Sequence, residues 1–193
     1  MPQYGVSETA DVTQYIDAII SCQRTWHNDE LDNLVELQIH KHTRTCKKQF
    51  RKTNMCRFGF PKYPMCNTEI LEPLTCDKDE LKVHTENLKI IKTSLAAMKP
   101  SDEIPSMDDF LAALQLDYDS YKLAIRSSLK MATTFIKRSP SEIRVNNYNV
   151  HTLQAWRANY DIQFILDIYA CIVHNFIHCQ RRTWHERLTS EHM

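Results

Sequence analysis

The sequence predicts an α+β fold that is mostly helical: a metal-organised Cys/His segment comes first, followed by a helical region with one or two strands. Apolar residues recur at helical spacing in several stretches of the chain. Only two glycines occur, Gly5 and Gly59, which is too few for the tight turns of an all-β fold. Residues 43–75 have low helical propensity and contain three prolines, so we expect something other than a hydrophobic core to hold them.

Five stretches have the apolar periodicity or the capping signals of helices. They are residues 7–21, 29–37, 79–98, 106–114 and 118–137. Asp29 is the predicted cap of the second helix, Ser106 caps the fourth, and Pro140 follows the end of the fifth. Residues 146–149 are a turn signal, and residues 161–166 are the best strand candidate.

Length and composition favour one intracellular domain. A chain of 193 residues suits one domain, or one with a small satellite, and a change of composition near residues 76–79 separates a Cys/His-rich, basic segment (1–76) from a helical region (77–193). Acidic residues interrupt the first 20 positions, so no secretory signal is expected, and the seven cysteines are interpreted as thiols or metal ligands. The most apolar run, residues 162–177, is shorter than the roughly 20 residues of a membrane span, so no membrane contact is expected.

Cysteines and histidines cluster in the first third of the chain. Cys22, one of the pair His40 and His42, Cys46 and Cys56 supply a Cys3His set, a ligand combination that holds structural zinc. Thiolates and imidazole suit a tetrahedral ion, and closing a loop around it would organise a segment that lacks a core. The predicted metal ligands are therefore Cys22, His40, His42, Cys46 and Cys56, with structural zinc as the cofactor.

The spacing of these residues is looser than that of paired C-x2-C elements, and it also permits an interpretation without metal. In that interpretation Cys22 packs beneath its helix, the two histidines are solvated, and Cys46 and Cys56 are free thiols. The remaining cysteines show no ligand-like pairing: Cys66, Cys76, Cys171 and Cys179.

A basic segment coincides with these ligands. Eight of the 24 lysines and arginines lie between Glu36 and Glu69, where no carboxylate offsets them. Aromatic residues are interleaved with the cations, and single-stranded nucleic acid stacks on aromatic rings while cations neutralise its phosphates. A solvated charged face is the alternative. The residues predicted to contact nucleic acid are Lys41, Arg44, Lys47, Lys48, Arg51, Lys52, Arg57, Phe58, Phe60 and Lys62.

No catalytic site stands out in the sequence. There is no nucleophile triad or paired-carboxylate site, and helix capping explains the acidic stretch at residues 102–119. The scarcity of glycine also argues against a phosphate-cradling loop, so no ATP site is expected in this chain.

Two groups of short motifs point to a family. The first group is His40-Lys-His42-Thr-Arg-Thr-Cys46, Cys56-Arg-Phe-Gly-Phe-Pro61 and Thr68-Glu-Ile-Leu-Glu-Pro73. The second is Lys137-Arg-Ser-Pro140, Val145-Asn-Asn-Tyr-Asn149, Ala155-Trp-Arg-Ala-Asn159 and Asp161-Ile-Gln-Phe164. In content and order they resemble the Rep proteins of Helitron transposons, in the segment downstream of the His-hydrophobic-His motif. The resemblance covers about residues 1–173.

This resemblance implies a piece of a rolling-circle replication initiator that acts in the nucleus. In that family a metal held by the His-hydrophobic-His pair activates a DNA phosphodiester, and a tyrosine attacks it to leave a 5′-phosphotyrosyl link. An ATP-dependent superfamily 1 helicase normally follows. The resemblance also implies zinc and single-stranded DNA as ligands of the basic Cys/His segment, and it makes the strand at residues 161–166 a remnant of the Rep nuclease sheet.

The chain departs from the family pattern in three places. The His-hydrophobic-His pair is missing, no helicase region follows, and residues 174–186 lack the family's Tyr-x-x-Tyr-x-x-Lys. The possible codons of residues 174–186, read one base later, permit Ser-Tyr-Ile-Ala-Lys and then Gly-Arg-Gly-Met, as the family continues. We therefore hypothesise a frameshift after Val173, which makes residues 174–193 a frameshifted tail.

The sequence thus predicts a segment of a Helitron-type DNA nicking and joining protein that is catalytically inactive alone and retains zinc and single-stranded DNA binding. Covalent catalysis needs an activated electrophile and a positioned nucleophile together, and both are missing. Tyr169, the tyrosine nearest the lost site, is not expected to be the nucleophile. The alternative is a non-enzymatic zinc-dependent DNA-binding or adaptor module.

Overall fold

Six α-helices and a two-stranded antiparallel sheet make up the described part of the chain, which confirms the α+β, mostly helical class. The computed structural model describes residues 8–43, 46, 56–98 and 106–166. The elements in order are α1 (Thr9–Ile19), α2 (Asp29–Glu36), β1 (Glu69–Leu71), α3 (Lys78–Ala97), α4 (Met107–Leu114), α5 (Tyr118–Arg126), β2 (Thr133–Phe135), a 3-10 turn (Pro140–Glu142) and α6 (Val150–Trp156). None of the helices in these ranges combines the length and the apolar character that a membrane crossing requires.

The chain divides into two compact units, Met1–Gln163 and Phe164–Met193. All the helices and strands above belong to the first unit, and only residues 164–166 of the second are described. Segments from both sides of residue 76 contribute to both hydrophobic clusters of the first unit. The division expected near residues 76–79 is therefore one of composition, and the tail at residues 174–193 lies outside the described residues.

Helices α3, α4 and α5 pack around the larger hydrophobic cluster. Asp77 caps α3 by accepting hydrogen bonds from two backbone amides, and Ser106 caps α4 as the sequence predicts, by accepting from the Asp109 amide. The buried members of this cluster are Met65, Leu71, Leu88, Ile91, Leu95, Met98, Phe110, Leu111, Leu114, Tyr121, Ala124, Ile125 and Ile143.

Helices α2 and α6 enclose a second, smaller cluster. The predicted second helix is present, although its cap is Asn28, whose side chain accepts from the Leu31 amide, rather than Asp29. The sequence pattern does not predict α6, which begins where Asn149 accepts from the Thr152 amide, directly after the expected turn. The buried members of this cluster are Cys22, Leu31, Leu34, Val35, Val145, Tyr148 and Leu153.

Residues 138–148, here called the central segment, connect the two clusters. Their backbone pairs with three separate stretches from the first third of the chain. The pairs are Ser21 with Tyr148, His40 with Arg144, and Met65 with Arg138, with N···O distances of 2.7 to 3.0 Å. Because no regular sheet joins these stretches, the central segment is the scaffold that fixes their positions.

A buried arginine shapes the central segment. Arg138 is only 3% exposed, and its guanidinium donates to the carbonyl oxygens of Glu142 (2.5 Å) and Val145 (2.7 Å) and to Asn147 Oδ1 (2.7 Å). Burial lowers the pKa of this guanidinium from its ordinary value. Hydrogen bonds from the Arg138 guanidinium to three neutral acceptors therefore stabilise the central segment, where no regular pattern of β-sheet hydrogen bonds does so.

The prediction of one long helix over residues 118–137 is wrong beyond Arg126, where α5 ends. The hydroxyls of Ser127 and Ser128 donate to the carbonyl oxygens of Ala124 (2.7 Å) and Ile125 (3.0 Å), and such side-chain bonds compete with continuation of a helix. The β-branched threonines that follow enter strand β2, which pairs with β1 in the stretch expected to lack structure.

The strand expected at residues 161–166 is also wrong, because this stretch has no strand assignment. Its side chains do alternate, with Ile162, Phe164 and Leu166 half-buried and the residues between them exposed. Alternation specifies an extended chain, whereas a strand also needs a hydrogen-bonded neighbour. The remnant of a Rep nuclease sheet expected here is therefore not found in this stretch.

Candidate metal centre

Two histidines and two cysteines come together at the surface of the first unit. His40, His42, Cys46 and Cys56 place one ligand atom each within 4.8 Å of all the others. The His40 Nε2 and His42 Nδ1 atoms are 3.3 Å apart, Cys46 Sγ is 3.5 Å from His42 Nδ1, and Cys56 Sγ is 3.3 Å from His40 Nε2.

These distances match the edges of a zinc tetrahedron. With Zn–N bonds of about 2.0–2.1 Å and Zn–S bonds of about 2.3 Å, adjacent ligand atoms lie about 3.3 Å apart for two nitrogens and about 3.5 Å for nitrogen and sulfur. Two thiolates and two imidazoles are also a normal donor set for that ion. The four residues therefore fit zinc, with all four tetrahedral positions supplied by the protein.

The backbone around His40 explains the position of the first ligand. His40 lies four residues beyond the end of α2, and its amide donates to the Arg144 carbonyl oxygen of the central segment at 2.7 Å. Its imidazole stacks on the Phe60 ring with a centroid distance of 4.4 Å and an interplanar angle of 7°, and Phe58 contacts it edge-on at 5.7 Å. These contacts fix the orientation of the ring without the metal.

A short set of backbone bonds joins the two cysteine ligands. The Arg57 amide donates to the Cys46 carbonyl oxygen at 3.0 Å. Cys56 then begins a turn closed by the Gly59 amide, which donates to the Cys56 carbonyl oxygen at 3.0 Å. Gly59 has a φ of 69°, a conformation that glycine adopts without strain. The Thr43 amide donates to Cys46 Sγ at 3.2 Å, and this sulfur donates to the Thr43 carbonyl oxygen at 3.2 Å.

The electrostatic environment favours the neutral form of His40. Burial lowers the pKa of His40 from its ordinary value, and the positive charges of His42, Arg144 and Lys62 lower it further. Neutral imidazole is the form that binds a metal, so these effects reduce competition from protons. Burial also lowers the pKa of Lys62, whose Nζ donates to the Phe58 carbonyl oxygen at 3.0 Å and lies 4.8 Å from the centroid of the Phe60 ring.

The structure does not bring Cys22 into this group, so the expected Cys3His set becomes Cys2His2. Cys22 is 2% exposed within the smaller hydrophobic cluster, and its thiol donates to the Lys137 carbonyl oxygen at 3.0 Å. Burial raises the pKa of this thiol to about 11, which disfavours the thiolate that a metal requires. Both histidines, rather than one of the pair, are members of the group.

Half of the predicted nucleic-acid contacts can be placed. Lys41 and Arg57 are exposed next to metal ligands, and the Arg57 guanidinium lies 4.5 Å from the centroid of the Phe58 ring. Phe58 is 48% exposed, whereas Phe60 is 7% exposed and one face of its ring is covered by His40, so only Phe58 presents a ring for stacking. Five predicted contacts lie outside the described residues: Arg44, Lys47, Lys48, Arg51 and Lys52.

Two of the four cysteines predicted to have no ligand-like pairing can be placed. Cys66 is exposed, Cys76 is half-buried, and neither belongs to the group of four. Cys171 and Cys179 lie outside the described residues.

Comparisons of the chain with protein-family models, with curated proteins and with solved structures found no match. The resemblance to Helitron Rep proteins therefore stays a prediction based on short motifs.

The sequence reasoning missed the residues that hold the centre from a distance. The Arg144 carbonyl oxygen accepts a hydrogen bond from the His40 amide, and the Ile143 carbonyl oxygen accepts one from the Lys62 amide at 2.8 Å. Both acceptors lie far along the chain from the residues that they hold. The signal available was the pair of motifs at residues 137–140 and 145–149, which flank these positions. Motif content alone does not reveal that the stretch between them contacts the Cys/His segment.

Proposed function

We propose that this chain is a zinc-dependent, single-stranded DNA-binding segment of a Helitron-type Rep protein, acting in the nucleus without nicking activity of its own. The observation that carries the zinc-dependent binding is the group of four ligand atoms within 4.8 Å of one another, three of whose distances match a zinc tetrahedron, with exposed cations beside it. The sequence motifs support the family and the place of action.

The closed ligand set favours a structural metal over a catalytic one. Catalytic zinc keeps one coordination position for water or substrate, whereas structural zinc has four protein ligands. Here both imidazoles and both thiolates are within reach of one ion. The metal's role is thus to join the chain on either side of residues 47–55, which include four of the predicted cations.

The cations nearest the ligands give the binding its physical basis. Lys41 lies between the two histidine ligands in sequence, Arg57 follows Cys56, and Lys62 lies over the ring that supports His40. Loss of the metal would remove the link between the histidine and cysteine ligands and so loosen the position of Arg57 relative to Lys41. If these three cations each neutralise one phosphate, the slope of log affinity against log salt is about −2 for a single strand.

A zinc-dependent DNA-binding or adaptor module outside the Helitron family is the second candidate. The closed Cys2His2 set favours it equally, because that observation concerns metal and binding and not descent. Genomic sequence on both sides of the reading frame separates the two, since only a Helitron origin predicts nuclease and helicase coding sequence there.

The test uses the purified full chain. Metal analysis should give one zinc per chain, and anisotropy with a labelled oligodeoxythymidine should show binding that weakens roughly 20-fold between about 50 and 200 mM salt. A chelator should abolish this binding and zinc should restore it. Cys56→Ser should lose the metal, and the matched control Cys66→Ser, at an exposed thiol outside the group, should retain it.

Three results would contradict the proposal. They are a product without stoichiometric metal, DNA binding that is insensitive to the chelator, and cleavage of the oligonucleotide by the metal-loaded chain.

A further inference from the structure

A pocket of about 420 Å³ opens beside the metal centre. This volume is within the usual range for sites that hold a small organic molecule, about 300–1,000 Å³. Ile39, Met98 and Val145 form part of its apolar wall, and His40 and His42 line the side that faces the metal centre. The pocket therefore combines an apolar surface with the edge of the predicted DNA-binding segment.

The charged lining of this pocket is mostly positive. Arg24, Lys41 and Arg144 line it, with Glu36 as the carboxylate among its lining residues. Arg24 pairs with Glu36 at 3.4 Å, whereas the described residues place no carboxylate within ion-pairing distance of Lys41 or Arg144. Two of the three cations therefore have no competing carboxylate in that part of the chain, and the third, Arg24, shares its charge with Glu36 in an exposed pair that leaves other guanidinium donors for an anion.

Arg144 also carries an unused hydrogen-bond donor. Its Nη2 donates to the Met98 carbonyl oxygen at 2.9 Å, which holds the side chain against the pocket wall. Its Nε atom is buried and has no hydrogen-bond acceptor within the described ranges. A buried donor without an acceptor is costly, and a small rotation of the side chain towards the pocket would let a phosphate oxygen supply one.

We propose that this pocket binds one nucleotide of a single DNA strand. Its phosphate lies against Arg24, Lys41 and Arg144, and its base lies against the apolar wall. The inference rests on the proposed function and adds the position at which the strand meets the metal centre. A free inorganic anion would use the cations alone, whereas a nucleotide uses the cations and the apolar wall together.

Direct titration of the zinc-loaded full chain tests the pocket without a long strand. Thymidine 5′-monophosphate should bind at least about tenfold more tightly than thymidine, because charge-assisted hydrogen bonds are the stronger ones. Inorganic phosphate should bind more weakly than the nucleotide, because it gains nothing from the apolar wall. Calorimetry or imidazole NMR signals provide the measurement.

Substitutions of opposite sign make the test specific. Arg24→Ala and Lys41→Ala should each weaken nucleotide binding about three- to tenfold, and Glu36→Gln should strengthen it about twofold or more, since it removes the opposing charge. Lys89→Ala removes an exposed cation on α3, outside this pocket, and should change nothing. Because all four positions are exposed or half-buried, the variants are expected to fold.

The pocket inference is overturned if thymidine 5′-monophosphate and thymidine bind equally, or if the pocket variants behave like Lys89→Ala. If the chain binds oligonucleotides and the pocket substitutions do not change that binding, this inference is removed and the proposed function stays intact. If the pocket binds the nucleotide but the chain does not bind oligonucleotides, the proposed function is removed and the nucleotide site remains. If Lys41→Ala weakens the binding of oligonucleotides with and without a 5′-phosphate equally, the pocket holds an internal phosphodiester. If it weakens only the binding of the 5′-phosphorylated oligonucleotide, the pocket holds the end of a strand. Either result supports the site.

Discussion

Replacing Arg138 with methionine should destabilise the protein by about 3 to 5 kcal/mol, because it leaves three acceptors without their hydrogen-bond donor. The guanidinium donates three hydrogen bonds of 2.5 to 2.7 Å, and bonds to a charged group contribute about 1.5–3 kcal/mol each. Part of this gross loss of about 4.5–9 kcal/mol is offset because a buried cation no longer has to be desolvated. The net effect is a large fraction of the roughly 5–15 kcal/mol that keeps a domain folded.

Urea denaturation of the zinc-loaded chain provides the measurement. Trp26 is a suitable fluorescent probe because its Nε1 donates to the hydroxyl of Tyr148 at the end of the central segment. The matched control is Arg126→Met, which removes a single exposed hydrogen bond from Nε to the Glu72 carbonyl oxygen and should cost less than about 1 kcal/mol. Zinc affinity should also fall roughly tenfold in the Arg138 variant, because the central segment positions His40. Equal stability losses in the two arginine variants would refute the role given to Arg138.

Three further predictions concern the cysteines and the aromatic rings of the metal centre. Cys46→Ala should abolish stoichiometric zinc binding and Cys22→Ala should leave it intact, which metal analysis of the purified variants checks. Burial raises the pKa of the Cys22 thiol from 9.0 to about 11, so as pH rises the unfolded chain releases this proton before the folded chain does. The free energy of unfolding should therefore fall by about 2 to 3 kcal/mol between about pH 9 and 11, and Cys22→Ala should not show this loss when denaturation is measured at each pH. Identical slopes of unfolding free energy against pH in the two proteins would contradict this prediction. Phe58→Leu should weaken oligodeoxythymidine binding roughly fivefold or more, because an exposed ring stacks a base. Phe60→Leu should instead lower zinc affinity, because its ring supports His40; anisotropy and metal titration separate the two effects.

Local sequence signals were sufficient for the elements whose stability is local. Ser106 accepts a hydrogen bond from a backbone amide of α4, as its position ahead of an acidic first turn predicts. The apolar spacing of α3 likewise places Leu88, Ile91 and Leu95 in the core. The same holds for the metal centre, because its four ligands lie within a short stretch of chain and include two of one tripeptide. Proximity in sequence limits how far apart such residues can be in space.

The errors concern features that only the tertiary structure decides. Cys22 has a plausible spacing from the other ligands, yet its neighbours in the fold are Lys137 and the smaller hydrophobic cluster. Residues 161–166 have the alternation of a strand but no partner strand in the part of the chain that the structure describes, and α5 ends where Ser127 and Ser128 offer competing hydrogen bonds. Each outcome depends on a contact that periodicity does not encode.

The proposed metal and the central segment would have complementary roles in holding the part of the chain that sequence propensity leaves unstructured. Between residues 43 and 75 the described chain contributes only a few apolar side chains to the core, among them Phe60, Met65 and Leu71. The central segment holds the second half of this stretch through backbone bonds to Lys62 and Met65. Cys46 and Cys56 flank the basic residues of the first half, so the proposed metal would supply there the constraint that burial supplies elsewhere. On this proposal the basic stretch needs no large hydrophobic core of its own, and its cations stay accessible to a charged strand.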